Sequence, residues 1–102
     1  MDINVQELKE KFDKGDNFVL IDVREPMEHA QFNIGGRLIP LGVLSAVLPE
    51  LQAQKNDEIV VYCRSGMRSA AAKQQMVQSG FSNVRNLIGG VLDWVDTFGP
   101  KV

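Results

Sequence analysis

The chain has 102 residues, with 11 Lys and Arg against 13 Asp and Glu for a formal net charge of −2, and 44% of its residues are hydrophobic. That is the size of one domain, expected to run over residues 1–102 without a linker, and its even, dispersed charge offers no footprint for nucleic acid or an anionic membrane. One cysteine and one histidine exclude an internal disulfide and the usual Cys/His zinc sites, and without a signal-like or membrane-spanning apolar run the expected address is cytoplasmic.

Asn4 followed by Glu7 makes an N-cap and capping-box pair, Val5, Leu8 and Phe12 share one helical stripe, and Gly15 closes this first helix. Residues 18–23, Phe-Val-Leu-Ile-Asp-Val, are a continuous apolar run that predicts a strand buried on both faces, with Asp22 at its carboxyl end. Pro26 suits the first turn of a short helix reaching about Gln31, and a short strand at Leu38 and Ile39 follows the Gly35-Gly36 break. From Leu41 to Lys55 the spacing of Leu44, Val47, Leu48 and Leu51 is helical, and Pro49 is expected to divide it into two short pieces. Residues 58–63 read as a second long buried strand and 68–79 as a small-residue-rich helix stopped by Gly80. Residues 83–87 read as a last short strand, and Gly89-Gly90 turn into a terminal helix whose Trp94, Val95 and Phe98 are core residues. Alternating strands and helices predict an α/β fold with a mostly parallel sheet covered on both faces. In such sheets the functional site lies beyond the carboxyl ends of the strands.

Cys63 occupies that place. It follows the most apolar strand and opens the segment Cys63-Arg64-Ser65-Gly66-Met67-Arg68-Ser69, which leads straight into a helix. A loop curling around a cysteine at a helix start aims backbone N–H groups and the positive helix end at the sulfur, and so favours thiolate over thiol. A free cysteine titrates near ~8.5, and such surroundings lower that value. Gly66 supplies backbone freedom, and Arg64 and Arg68 place two permanent positive charges beside the sulfur. The result is an anion pocket around a nucleophile. An inert core thiol would not call for Arg, Ser, Gly and Arg in the next few positions.

These residues resemble the rhodanese-like family of sulfurtransferases, in its single-domain form. The likeness runs nearly end to end: residues 5–8, the Leu-Ile-Asp-Val-Arg-Glu-Pro of 20–26, Gly36 with residues 39–41, the stretch 59–69 around Cys63, and the Leu-Ile-Gly-Gly-Val-Leu-Asp-Trp of 87–94. The resemblance implies a three-layer sandwich around a central sheet of about five strands. It also implies that Cys63 accepts a sulfane sulfur to become a persulfide, within a cradle formed by Arg64, Ser65, Gly66, Met67 and Arg68. Arg64 and Arg68 would bind a small anionic donor such as thiosulfate, and Asp22 and Arg24 would brace the loop from the neighbouring strand. The acceptor would be cyanide, a thiol or a protein cysteine, and no cofactor or metal is implied. The oligomeric state, monomer or homodimer, is left open.

Two departures stand out. Asn33 sits where the family commonly has a histidine, in a segment that mainly shapes the fold, and the lone histidine, His29, sits where an aromatic residue is usual. His29 is expected to be a half-exposed helix residue with no catalytic role. Related cysteine phosphatases and arsenate reductases also wrap a Cys loop and an arginine around an oxyanion, but with five residues between the two. Here four separate Cys63 from Arg68. A further alternative is a relay module that exchanges persulfide sulfur only with partner proteins.

Overall fold

The computed structural model describes residues 1–101. Helix α1 (Val5–Lys14) starts where the Asn4 side chain accepts the Glu7 N–H at 2.8 Å and ends at the Gly15 cap. The capping box is only half formed. Glu7 turns its carboxylate to Arg85 instead, at 2.7 Å, because that guanidinium is nearly buried and also pairs with Glu58. Strands β1 (Val19–Asp22), β2 (Arg37–Leu38), β3 (Ile59–Tyr62) and β4 (Val84–Asn86) form one wholly parallel sheet in the order β2-β1-β3-β4. The sheet therefore has four strands where about five were expected. Among the described residues, only an isolated parallel bridge joining Ile3 to Leu87 extends pairing beyond β4.

The period-two alternation of the strands sorts the apolar residues into two cores. Ile59, Val61 and Cys63 face one side, where they meet Ile21, Val23, Leu44, Leu48, Ala72 and Met76. Val60 and Tyr62 face the other, against Leu8, Val91 and Trp94. The first side is covered by α3 (Leu44–Val47) and α4 (Met67–Gln78), the second by α1 and α5 (Gly90–Phe98). This is the expected three-layer sandwich, with a 1% exposed Trp94 packed edge-on to Phe12.

The segment from Leu41 to Gln54 differs from expectation. It is three pieces, a 3₁₀ turn at Leu41–Val43, the α3 turn, and a 3₁₀ helix at Leu48–Gln54 that begins around Pro49. Proline is tolerated in a first turn, where its missing N–H is not needed, so it opens the third piece instead of breaking the second. Helix α2 (Pro26–Gln31) follows the carboxyl end of β1. Asn33 donates to the His29 carbonyl and accepts from the Gly35 N–H, and the Tyr62 hydroxyl donates to the Gly35 carbonyl at 2.8 Å, so the break after α2 is tied to the sheet. Among the described residues no helix is long and apolar enough to cross a membrane.

Candidate active site

Cys63 is the first residue past β3 and is 1% exposed. Its Sγ receives the Gly66 N–H at 3.1 Å, the Ser69 N–H at 3.4 Å and contacts the Ser69 Oγ at 3.3 Å. Gly66 caps α4 but has no side chain with which to accept the N–H of the third helical residue, Ser69. The sulfur takes that part. It sits where an N-cap oxygen would, at the positive end of the helix. Burial pushes the thiol up, but the Ser69 hydroxyl and the N–H groups of Ser69, Gly66 and Ser65 outweigh it and hold Cys63 below its ordinary value.

Two glycines make this geometry possible. Gly66 has φ near 101°, a conformation costly for any residue with a Cβ, and it lets the chain turn from loop to helix beneath the sulfur. Gly90 starts α5 with its backbone pressed on the loop: a Cβ there would lie 2.5 Å from the Cys63 carbonyl oxygen and 2.6 Å from that of Arg64. Those carbonyls accept the Val91 and Leu92 N–H groups at 2.9 and 3.0 Å. The loop is thus seated between the N-terminal ends of α4 and α5.

The arginines differ from each other. Arg68 forms a two-pronged pair with Glu28 of α2, at 2.7 and 2.9 Å, which holds the Glu28 carboxyl down to about 2. Two of its five N–H groups are used there, and among the described residues the other three have no partner and are left for another anion. Arg64 and Ser65 are exposed, and among the described residues the Arg64 side chain has no hydrogen bond or ion pair. Met67 is 79% exposed on the outer side of the loop.

Asp22 and Arg24 form a buried pair at the end of β1, with Arg24 reaching on to the Phe32 carbonyl and His29 Nδ1 lying 2.8 Å from Asp22 Oδ2. Neither Asp22 nor Arg24 hydrogen-bonds residues 63–68. Through His29 and the Phe32 carbonyl they fasten the C-terminal half of α2, and α2 presents Glu28 to Arg68, so any bracing of the loop passes through that helix. His29 is part of this fastening and not simply a half-exposed surface group.

Sequence reasoning passed over three residues. Glu28 pairs across 40 positions, and Asn86 meets Ser69 across 17. Neither separation leaves a local pattern. Ser69 did carry a signal, since it follows Arg68 and is the third residue of the helix that Gly66 opens.

A family model described as the Rhodanese-like domain matches residues 4–97. The chain belongs to this family. Among rhodanese-like relatives, a protein named sulfurtransferase from Allochromatium vinosum is 33% identical over 94 residues, which cover 91% of this chain and 86% of that one. YrkF of Bacillus subtilis is 37% identical over 94 residues, 91% of this chain but 50% of YrkF. MoeZ of Mycobacterium tuberculosis matches over 26% of its length, so the chain spans half or less of the first of these curated rhodanese-like relatives. The human single-domain sulfurtransferase TSTD1 superposes with a TM-score of 0.81 at 28% identity, covering 93% of this chain and 95% of the other.

Proposed function

We propose that the chain is a sulfurtransferase that carries sulfane sulfur as a persulfide on Cys63, taken from thiosulfate or a similar small anionic donor. The observation that carries this reading is the sulfur held by converging donors at the start of α4, with its thiol lowered despite burial. Sulfane transfer needs a soft nucleophile that also leaves readily, and a low-pKa thiolate is both. In the first half-reaction the Cys63 thiolate attacks the outer sulfur of thiosulfate. A Cys63 S–S bond forms, the donor S–S bond breaks, and its electron pair leaves with sulfite. In the second, the acceptor attacks the terminal sulfur and the Cys63 thiolate departs. Arg64 and the three unused N–H groups of Arg68 supply positive charge for the donor anion, and the terminal sulfur would lie in the cradle of residues 64–68. The acceptor is cyanide, a thiol or a protein cysteine.

A relay that serves only partner proteins is favoured by one feature. Met27 and Met67, 73% and 79% exposed, adjoin in sequence the Glu28 and Arg68 that form the pair beside the loop. Flexible, exposed methionines suit protein contact. Intact mass after incubation with thiosulfate should show the gain of one sulfur atom, absent in Cys63→Ser. No gain from thiosulfate, with gain from a persulfide-bearing protein, selects the relay; no gain from either refutes sulfur transfer.

A further inference from the structure

Around Cys63 there are more acceptors than protons. The Ser69 hydroxyl has one hydrogen, and its oxygen lies 3.3 Å from Cys63 Sγ and 2.5 Å from Asn86 Oδ1. Asn86 cannot turn to relieve this, because its Nδ2 donates to the Gly66 carbonyl at 3.1 Å, which fixes the amide oxygen toward Ser69. Ser69 and Asn86 are both buried, so water cannot supply the missing donor cheaply. The donor to Asn86 Oδ1 at that distance is the Ser69 O–H, and Ser69 Oγ then has a lone pair to accept from a Cys63 S–H. A thiolate reverses the last link: it has no proton to give and draws the Ser69 proton to itself, which strips Asn86 Oδ1 of its partner.

We propose that Asn86 is a positioning residue for Cys63, whose side-chain carbonyl competes with the sulfur for the single Ser69 proton. In the resting thiol the chain runs Cys63 S–H to Ser69 Oγ and Ser69 O–H to Asn86 Oδ1. When the thiol proton passes to solvent, the Ser69 O–H rotates from Asn86 to the sulfur, and no other bond changes. Asn86 thereby restrains ionisation of Cys63 and makes the sulfur less avid than the loop donors alone would. The same rotation serves the persulfide anion, so this deepens the sulfur-transfer reading and rests on it for that second state only. The charged groups around this end of the sheet are Asp2, which accepts the Asn86 N–H at 3.1 Å and pairs with Lys73 on α4, Asp22 and Arg24 after β1, Glu28 and His29 on α2, Arg64 and Arg68 in the loop, and Asp93 on α5. None of them hydrogen-bonds the sulfur or the Ser69 hydroxyl, and a two-residue cycle cancels their common effect.

The test is the Cys63 titration, read from the pH dependence of iodoacetamide alkylation by intact mass, in the full chain, Asn86→Leu, Ser69→Ala and the double variant. Asn86→Leu is expected to increase the thiolate-to-thiol ratio at a given pH by roughly three- to tenfold, and Ser69→Ala to decrease it about tenfold, since a hydrogen bond to a charged group is at stake. In the Ser69→Ala background the Asn86 substitution should change it less than about twofold. An unchanged or decreased thiolate-to-thiol ratio in Asn86→Leu, or an equal change with and without Ser69, overturns the proposal. A purely structural role for Asn86 would lower melting temperature without this coupling. Should Asn86→Leu not fold, the Asn86 side-chain amide resonance in the unaltered chain must titrate with Cys63 and cease to do so in Ser69→Ala; its failure to follow Cys63 overturns the proposal equally. Sulfur uptake from thiosulfate and from a persulfide-bearing protein is measured separately. Coupling without uptake from either leaves the proton assignment standing and removes the sulfur-transfer reading, and uptake without coupling does the reverse.

Discussion

Replacing Glu28 by glutamine removes the charge that holds Arg68 but keeps the size of the group, so its effect isolates the ion pair. Moving a carboxyl from 4.5 to about 2 corresponds to about 3 kcal/mol of preference for its ionised form. The two side chains are 28% and 35% exposed, and water at that exposure screens the pair to about 1 kcal/mol. A carboxyl held down by folding stabilises the fold fully above its unfolded value, and the stability is lost as pH falls through the folded value. Urea unfolding of both proteins from pH 7 to pH 2 should therefore show Glu28→Gln about 1 kcal/mol less stable at neutral pH, with the difference fading from about pH 4.5 and vanishing near 2. A difference that is constant across this range, or absent at pH 7, would refute the assignment of the lowered carboxyl to Arg68.

Two further outcomes follow from the loop. Gly90→Ala forces a methyl group into the Cys63 and Arg64 carbonyls at a φ of 58°; the expected loss is at least about 2 kcal/mol by urea unfolding, and a loss under about 0.5 would mean that α5 shifts freely. Arg64→Ala touches an exposed side chain, so melting should be unchanged within about 0.5 kcal/mol while KM for thiosulfate rises roughly tenfold. An unaltered KM removes Arg64 from donor binding.

The parts of the molecule legible in the sequence are those whose signal is local. The apolar runs ending at Asp22 and Cys63 specify strands buried on both faces, and the Gly-punctuated segment after Cys63 specifies a loop at a helix start. Ionic and hydrogen-bond partners are less legible, because Glu28 with Arg68 and Ser69 with Asn86 are brought together only by the parallel crossovers of the sheet. Local patterns also misdirect where a tertiary partner competes: Glu7 satisfies the capping-box spacing yet pairs with Arg85, whose nearly buried charge needs it more. The strand count differs because Ile3 offers one bridge, too little for a strand. The arginines flanking the loop are alike in sequence, and only the position of α2 separates the paired Arg68 from the solvent-facing Arg64.

The sulfur that closes the first turn of α4 is a fastener as well as a reagent. Each change at that atom, whether ionisation, an added sulfur or alkylation, alters what the Gly66 and Ser69 amides are bonded to. The helix start is accordingly a built-in reporter: amide exchange at Ser69 should slow when the sulfur is anionic and quicken when it is blocked. It also means that Cys63→Ala is not a silent knockout. That substitution removes a helix cap together with the nucleophile, whereas Cys63→Ser keeps an acceptor at the cap position and is the better control for chemistry alone.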